Sequence, residues 1–394
     1  MVKSKAKRFG GPGLLIAAAF IGPGTVTVCS LAGANHQFDL LWVMVISVVV
    51  TIFLQEMASR LGIVTRLDLA SLIRREVGKP ILRILVIGLV FCSIVIGNAA
   101  YEAGNISGAI LGLDTFGNIP YATVILGIIA GLLLWSGSYK IIERVLIGLV
   151  GLMSVSFVVT AILTRPDIGA LFKGLVPSFD TNSLIILGLV GTTIVPYNLF
   201  LHAALAKTQW SDSEVKDSRN DTIRSISIGG LVSVCIIISA AGISSGTSIT
   251  SAIDLAESLE PVYGPAAKYL LSLGLFSAGI TSAVTAPLAA AFVAQGCFNW
   301  KSSLTSWRFR LVWMSILIIG VVFSSIGFKP IEIIKFAQVT NGLLLPIIAG
   351  LLLWLCSRPG MLGVHRNHPY QTLLGLLIVI VALLLGIKSI WSIF

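Results

Sequence analysis

Ala19-Phe20-Ile21-Gly22-Pro23-Gly24-Thr25 lies inside one long apolar run, and Thr192-Thr193-Ile194-Val195-Pro196-Tyr197-Asn198 lies inside another. Each stretch breaks a run that would otherwise cross a bilayer as a single helix. Proline removes an N–H and collides with the preceding turn, and glycine adds backbone freedom. The backbone groups freed in this way cannot face hydrocarbon, so they must line protein or a polar cavity. Two Gly/Pro-interrupted segments at corresponding places in two halves of a chain point to a transporter whose substrate site lies near the midplane.

The rest of the chain fits that setting. Of 394 residues, 56% are hydrophobic and 11% are charged, where soluble domains carry about 25% charged residues. Eleven apolar stretches approach or exceed the ~20 residues that span a bilayer. They lie near 11–32, 38–62, 82–112, 119–137, 141–164, 183–206, 223–246, 265–298, 309–328, 331–356 and 370–392. No cleavable signal peptide is expected, because the first stretch runs into a second without a small-residue cleavage pattern. Cys29, Cys92, Cys235, Cys297 and Cys356 show no paired spacing and read as packing residues.

The net charge of +10 is topogenic rather than a nucleic-acid footprint. With the N-terminus inside, the cytoplasmic segments hold most of the Lys and Arg, among them Lys3, Lys5, Lys7, Arg8, Arg74, Arg75, Lys79, Arg308, Arg310 and Arg358. The outside segments hold Arg165, Lys173, Lys268, Lys329, Lys335 and Lys388. That imbalance follows the positive-inside rule. The expected location is the cell inner (plasma) membrane, multi-pass, with a cytoplasmic N-terminus. The expected partners are the lipid bilayer and a small-molecule substrate, with no nucleic acid and no cofactor. Phosphate-loop, HExxH and GxSxG motifs are missing, so no catalytic residues are expected and the protein is not read as an enzyme.

The broken segments are spans 1 and 6. Five spans separate their starting points, so span 6 runs opposite to span 1, as an inverted 5+5 repeat requires. One domain, 1–394, accounts for the chain, with repeat one about 11–164, repeat two about 183–356 and an extra helix at 370–392. The polar stretches 207–222, 165–182 and 247–264 are too short for a soluble domain.

Five pieces of sequence carry a family resemblance. They are Gly11-Pro12-Gly13, Gln55-Glu56-Met57-Ala58-Ser59-Arg60-Leu61-Gly62 and Pro196-Tyr197-Asn198-Leu199-Phe200-Leu201-His202, then Ser277-Ala278-Gly279 with Ala294-Gln295-Gly296, and Ala337-Gln338 with Leu345-Pro346. Together they resemble the NRAMP (natural resistance-associated macrophage protein) metal-transporter family, in register from residue 11 to about 356. The resemblance implies an all-α integral membrane fold of the amino-acid/sodium-symporter type. Eleven transmembrane helices are expected, with helices 1 and 6 broken and spans 1, 2, 6 and 7 moving against a scaffold. Members of that family bind transition metals through Asp-Pro-Gly-Asn in span 1 and Met-Pro-His in span 6. Here Gly22 and Thr25 stand at the Asp and Asn positions, and Val195 and Tyr197 at the Met and His positions. The carboxylate and the thioether are both replaced, so no metal-ligating residues are assigned.

What remains for a substrate is Gly22, Gly24, Thr25, Thr192, Val195, Tyr197, Asn198 and Gln338. Glu102, in the middle of span 3, matches a glutamate that the family associates with proton movement. It reads as a proton carrier or as a structural carboxyl. His202, one turn past the span 6 break, reads as a gating or proton group or as a satisfied structural residue. Glu56 and Arg60 are spaced for an i,i+4 ion pair. The chain is thus expected to be a secondary active transporter working by alternating access. The favoured substrate is a small polar organic solute such as an amino acid, whose carboxylate suits the free N–H groups of a half-helix. The competing reading is a divalent cation, partly hydrated Mg2+ or Mn2+, with a coupling proton.

Overall fold

Proline opens the helices that matter here. Pro12, Pro23, Pro80, Pro196 and Pro330 each stand in the first turn of a helix, where the missing N–H would have had no partner and the fixed φ is already helical. The computed structural model describes residues 11–117, 119–136, 140–178, 183–241, 252–300 and 305–391. Lys3, Lys5, Lys7 and Arg8 lie outside the described residues, as do parts of the polar stretches at 179–182 and 247–251. In chain order the helices are α1 (Pro12–Phe20), α2 (Pro23–His36), α3 (Leu41–Thr65), α4 (Leu69–Glu76), α5 (Pro80–Asp114), α6 (Ala122–Ser136), α7 (Lys140–Leu163), α8 (Ile168–Lys173) and α9 (Ser183–Thr193). They continue as α10 (Pro196–Gln209), α11 (Val215–Ala240), α12 (Ala252–Ala256), α13 (Glu260–Tyr263), α14 (Ala267–Phe298), α15 (Trp307–Ser324), α16 (Pro330–Ser357), α17 (Pro359–Leu362) and α18 (Pro369–Trp391). The described residues hold no strand.

Eight helical stretches among the described residues are long and apolar enough to cross a membrane, while Ala122–Ser136 and Val150–Leu163 are shorter. Both breaks are present: α1 gives way to α2 at Ile21-Gly22, and α9 to α10 at Ile194-Val195. One boundary differs in an informative way. The polar stretch 207–222 separates the apolar runs of spans 6 and 7, yet α10 runs to Gln209 and α11 starts at Val215. A reciprocal Ser211–Glu214 capping box starts the 3-10 turn Asp212–Glu214 that leads directly into α11, and it satisfies two orphan donors at once. The helix therefore begins well before its apolar stretch does.

The packing crosses between the two halves. α3 lies along α9 and α10, while α11 lies along α1 and α2, so each half's second span packs on the other half's broken span. α5 packs on α14, α16 on α5, and α7 on α14. That exchange is what an inverted repeat produces. Small residues let the backbones approach: Gly62 of α3 sits against the Ala203 carbonyl, and Gly33 of α2 against the Ile237 carbonyl, with no room for a β-carbon at either. The outward faces are apolar. The most apolar 18 residues of α18 have a mean hydropathy of 2.7, yet only 22% of them are buried, a pairing that suits hydrocarbon rather than water.

Candidate functional site

The two breaks are stitched together by one threonine pair. The Thr25 hydroxyl donates to the Phe20 carbonyl, bridging the gap between α1 and α2. It lies 2.9 Å from the Thr192 hydroxyl at the end of α9. A hydroxyl has one proton, so Thr192 is the donor to Thr25. Both threonines are buried. The carbonyl ends of α1 and α9 and the Pro-led starts of α2 and α10 therefore meet in one place. Helix C-termini carry about half a negative elementary charge and N-termini the opposite.

Gln338 of α16 closes this place on the side toward α2 and α9. Its side-chain amide lies where a β-carbon of Gly24 would be, and Gly191 of α9 packs on its backbone carbonyl. Gln338 is buried, and its Oε1 has no hydrogen-bond partner among the described residues. Asn198, in the first turn of α10, is likewise buried with an unpartnered Oδ1. Val195 caps α10 in an extended conformation and is fully buried. Tyr197 is also fully buried, its ring edge-on to Tyr101 with centroids 5.5 Å apart. Gly22 is extended (φ −111°, ψ −175°), and a β-carbon there would lie 3.4 Å from Ser282 Oγ and 3.6 Å from the Tyr101 hydroxyl. The structure thus brings together Gly22, Gly24, Thr25, Thr192 and Gln338, with Val195, Tyr197 and Asn198 at the start of the second half-helix.

Two residues beside Gly22 escaped the sequence reading. Tyr101 immediately precedes Glu102 in α5, and Ser282 belongs to α14. The available signals were the polar rhythm Asn98, Tyr101, Asn105 along α5 and Ser277, Thr281, Ser282, Thr285 along α14. Both are unusual in membrane-crossing helices.

Glu102 and His202 have surroundings of their own. Glu102 is fully buried, and Gly320 of α15 packs directly on its side chain. Asn105 donates to one of its oxygens at 3.3 Å, while Oε1 has no partner among the described residues. No cation pairs with it among the described residues. His202 Nδ1 is 2.9 Å from Gln55 Oε1, tying α10 to α3, and its Nε2 is unpartnered among the described residues. The i,i+4 ion pair between Glu56 and Arg60 is formed at 3.1 Å. Arg60 also reaches Asn367 at 2.7 Å and the His365 carbonyl. No group of three or more His, Cys, Asp or Glu residues able to hold a metal occurs among the described residues.

The comparisons bear on what this place handles. The family model "Natural resistance-associated macrophage protein-like" matches residues 13–392. A relative from Aeromonas hydrophila, named "Divalent metal cation transporter MntH", is 30% identical over 96% of this chain and 94% of its own length. A manganese transporter of Eremococcus coleocola, solved with an aromatic bis-isothiourea compound, superposes with a TM-score of 0.81 at 27% identity, covering 97% of this chain and 86% of that one. MhsT in complex with L-phenylalanine superposes with a TM-score of 0.60 at 15% identity over 99% of both chains, a likeness of fold alone.

These findings overturn the expectation of an amino-acid-like solute, because the relatives with real sequence identity are named for metal cations. The geometry supplies the physical reason. The organic reading needed free N–H groups from Gly22 to Thr25. Of these, the Gly22 N–H already donates to the Phe20 carbonyl at 2.9 Å and Pro23 has none, which leaves at most the groups of Gly24 and Thr25. Matched from residue 13 to residue 392 and carrying both broken helices where they are expected, the chain belongs to the natural resistance-associated macrophage protein (NRAMP) family.

Proposed function

We propose that this chain transports a divalent metal cation across the membrane by alternating access, carrying the ion with part of its hydration shell. The observation behind this reading is the character of the donors at the breaks. They are neutral oxygens: the buried, unpartnered amide oxygens of Gln338 and Asn198, the Thr25 and Thr192 hydroxyls and the carbonyl ends of α1 and α9. Their lone pairs suit a cation better than an anion. They do not suit a bare one. Stripping a divalent ion of water without a compensating charge costs tens of kcal/mol in the Born limit. Magnesium in particular dehydrates reluctantly and is held through few protein contacts with several retained waters. A relative named for divalent metal cations over nearly its whole length supports the same substrate class.

In this reading Gly22, Gly24, Thr25, Thr192, Val195, Tyr197, Asn198 and Gln338 surround the hydrated ion. Glu102 carries the coupling proton, and His202 transmits movement of α10 to α3 through Gln55. The repeats run over about 11–164 and 183–356, with 370–392 outside them. The N-terminus faces the cytoplasm of a plasma (inner) membrane, in line with the distribution of Lys and Arg. The test is uptake by the protein reconstituted in liposomes, with an encapsulated divalent-cation indicator, alongside the thermal stability of the purified protein with Mg2+, Mn2+ and amino acids. Saturable divalent uptake and stabilisation by the same ion are expected. Stabilisation by an amino acid, with none by any divalent cation, would remove this reading.

A further inference from the structure

We propose that the pocket between α4, the start of α5 and the end of α14 binds the phosphate headgroup of an anionic phospholipid, one acyl chain of which lies in the apolar groove beside it. The pocket has a volume of about 400 Å³ and is lined by Leu67, Ser71, Arg74, Arg75, Arg83 and Asn299. Its arginines are under-used. A guanidinium offers five N–H donors and stays charged. Arg74 spends one on the Cys297 carbonyl at 3.0 Å, and Arg83 spends two on the Val77 and Gly78 carbonyls at 2.8 and 3.3 Å. Neither has a carboxylate partner among the described residues. Arg75 pairs with Glu76, but the other oxygen of that carboxylate is taken by Arg358 at 3.0 Å. The nearby Asp68 is committed to the Ser71 N–H and hydroxyl and to Lys207. The pocket therefore carries unmatched positive charge in a fork geometry that suits phosphate oxygens.

The surroundings favour a lipid over free phosphate. Ile81 and Ile84, flanking Arg83, are 76% and 72% exposed, so this turn of α5 sits at the boundary between headgroups and acyl chains. Trp300 follows Asn299 and opens a second cavity of about 550 Å³, lined mainly by apolar side chains such as Phe91, Val95, Leu311 and Ile316. The Phe298 ring joins the two regions, contacting Phe91 at 5.0 Å and stacking on Trp300 at 5.2 Å. A basic pocket opening onto an apolar groove along the same helix matches a headgroup and its chain. Basic pockets between membrane helices recognise anionic headgroups in this way.

The experiment uses the full chain, stripped of lipid in neutral detergent and mixed with equal amounts of phosphatidylglycerol and phosphatidylcholine, with retained lipid read by native mass spectrometry. Preferential retention of phosphatidylglycerol is expected. Arg74→Gln with Arg83→Gln should weaken it about thirtyfold, roughly fivefold for each arginine at the membrane surface. Arg74→Lys with Arg83→Lys should weaken it less than the glutamine pair, because the charge is kept and the fork is lost. Equal retention of the two lipids by wild type, or an unchanged preference in the folded glutamine variant, would overturn the proposal. Two further measurements do not depend on that variant folding. Phosphatidylglycerol with brominated chains should quench wild-type fluorescence more than that of Trp300→Phe, and excess inorganic phosphate should leave the lipid bound. Equal quenching in the two proteins, or displacement by inorganic phosphate, would also overturn it.

Discussion

Gly22→Asp tests the chemistry at the break most directly. The backbone there is extended and accepts any residue. The nearest atoms to a new β-carbon are Ser282 Oγ at 3.4 Å and the Tyr101 hydroxyl at 3.6 Å, so the side chain enters with little displacement and meets two hydroxyls able to donate to it. A carboxylate ~4 Å from a divalent ion, at an effective dielectric near 20, gains ~8 kcal/mol of Coulomb energy. Burying the carboxylate costs several kcal/mol. The net gain is about 3 kcal/mol, a little over a hundredfold in Kd. The added charge also supports a drier ion, so affinity for Mn2+ should rise more than affinity for Mg2+. The assay is calorimetric titration of both ions into purified wild type and variant, with gel filtration and melting temperature to establish folding. A folded Gly22→Asp protein with unchanged Kd for both ions would refute the placement of the ion at the break. Weaker divalent binding in that protein would refute the cation reading itself.

Three more outcomes follow from particular contacts. Glu102→Gln should abolish substrate-driven acidification in proteoliposomes while leaving divalent-ion binding within about threefold of wild type, since Glu102 packs against Gly320 and is not among the proposed ligands of the ion; acidification that persists in the variant removes Glu102 as proton carrier. Asp221 accepts the Gly11 and Gly13 N–H groups at 3.2 and 2.8 Å, so one carboxylate of α11 holds the start of α1. Asp221→Ala should therefore cost roughly 2–4 kcal/mol, read as a lower melting temperature together with faster proteolysis of the N-terminal segment, and an unchanged melting temperature would dismiss the contact. Gly191→Ala forces a β-carbon against the Gln338 backbone carbonyl, an overpacking that should cost 3 kcal/mol or more and weaken ion binding, whereas Gly88→Ala, at a position open to its surroundings, should do neither.

The breaks could be read from sequence because proline and glycine act locally: Pro23 and Pro196 end one half-helix and start the next whatever lies around them. The apolar runs were legible for the same reason, since backbone groups in hydrocarbon leave few alternatives to helix. What could not be read depends on which helix faces which. Sequence spacing places Tyr101 and Glu102 about 100° apart around α5, so at most one of them addresses the break squarely. Only the packing of α15 onto Glu102 and of Tyr197 onto Tyr101 decides which. Asp221 is separated from Gly11 by 210 positions, and nothing near either residue in the chain announces the other.

The substrate error arose in the same way. A free N–H at a half-helix start is a local inference, and here the Gly22 N–H turns back onto the Phe20 carbonyl instead. Gln338 packs on Gly24 from α16, beyond the reach of any local pattern. Its unpartnered amide oxygen is a ligand to the cation in the proposed reading, brought to the break from the other half of the chain.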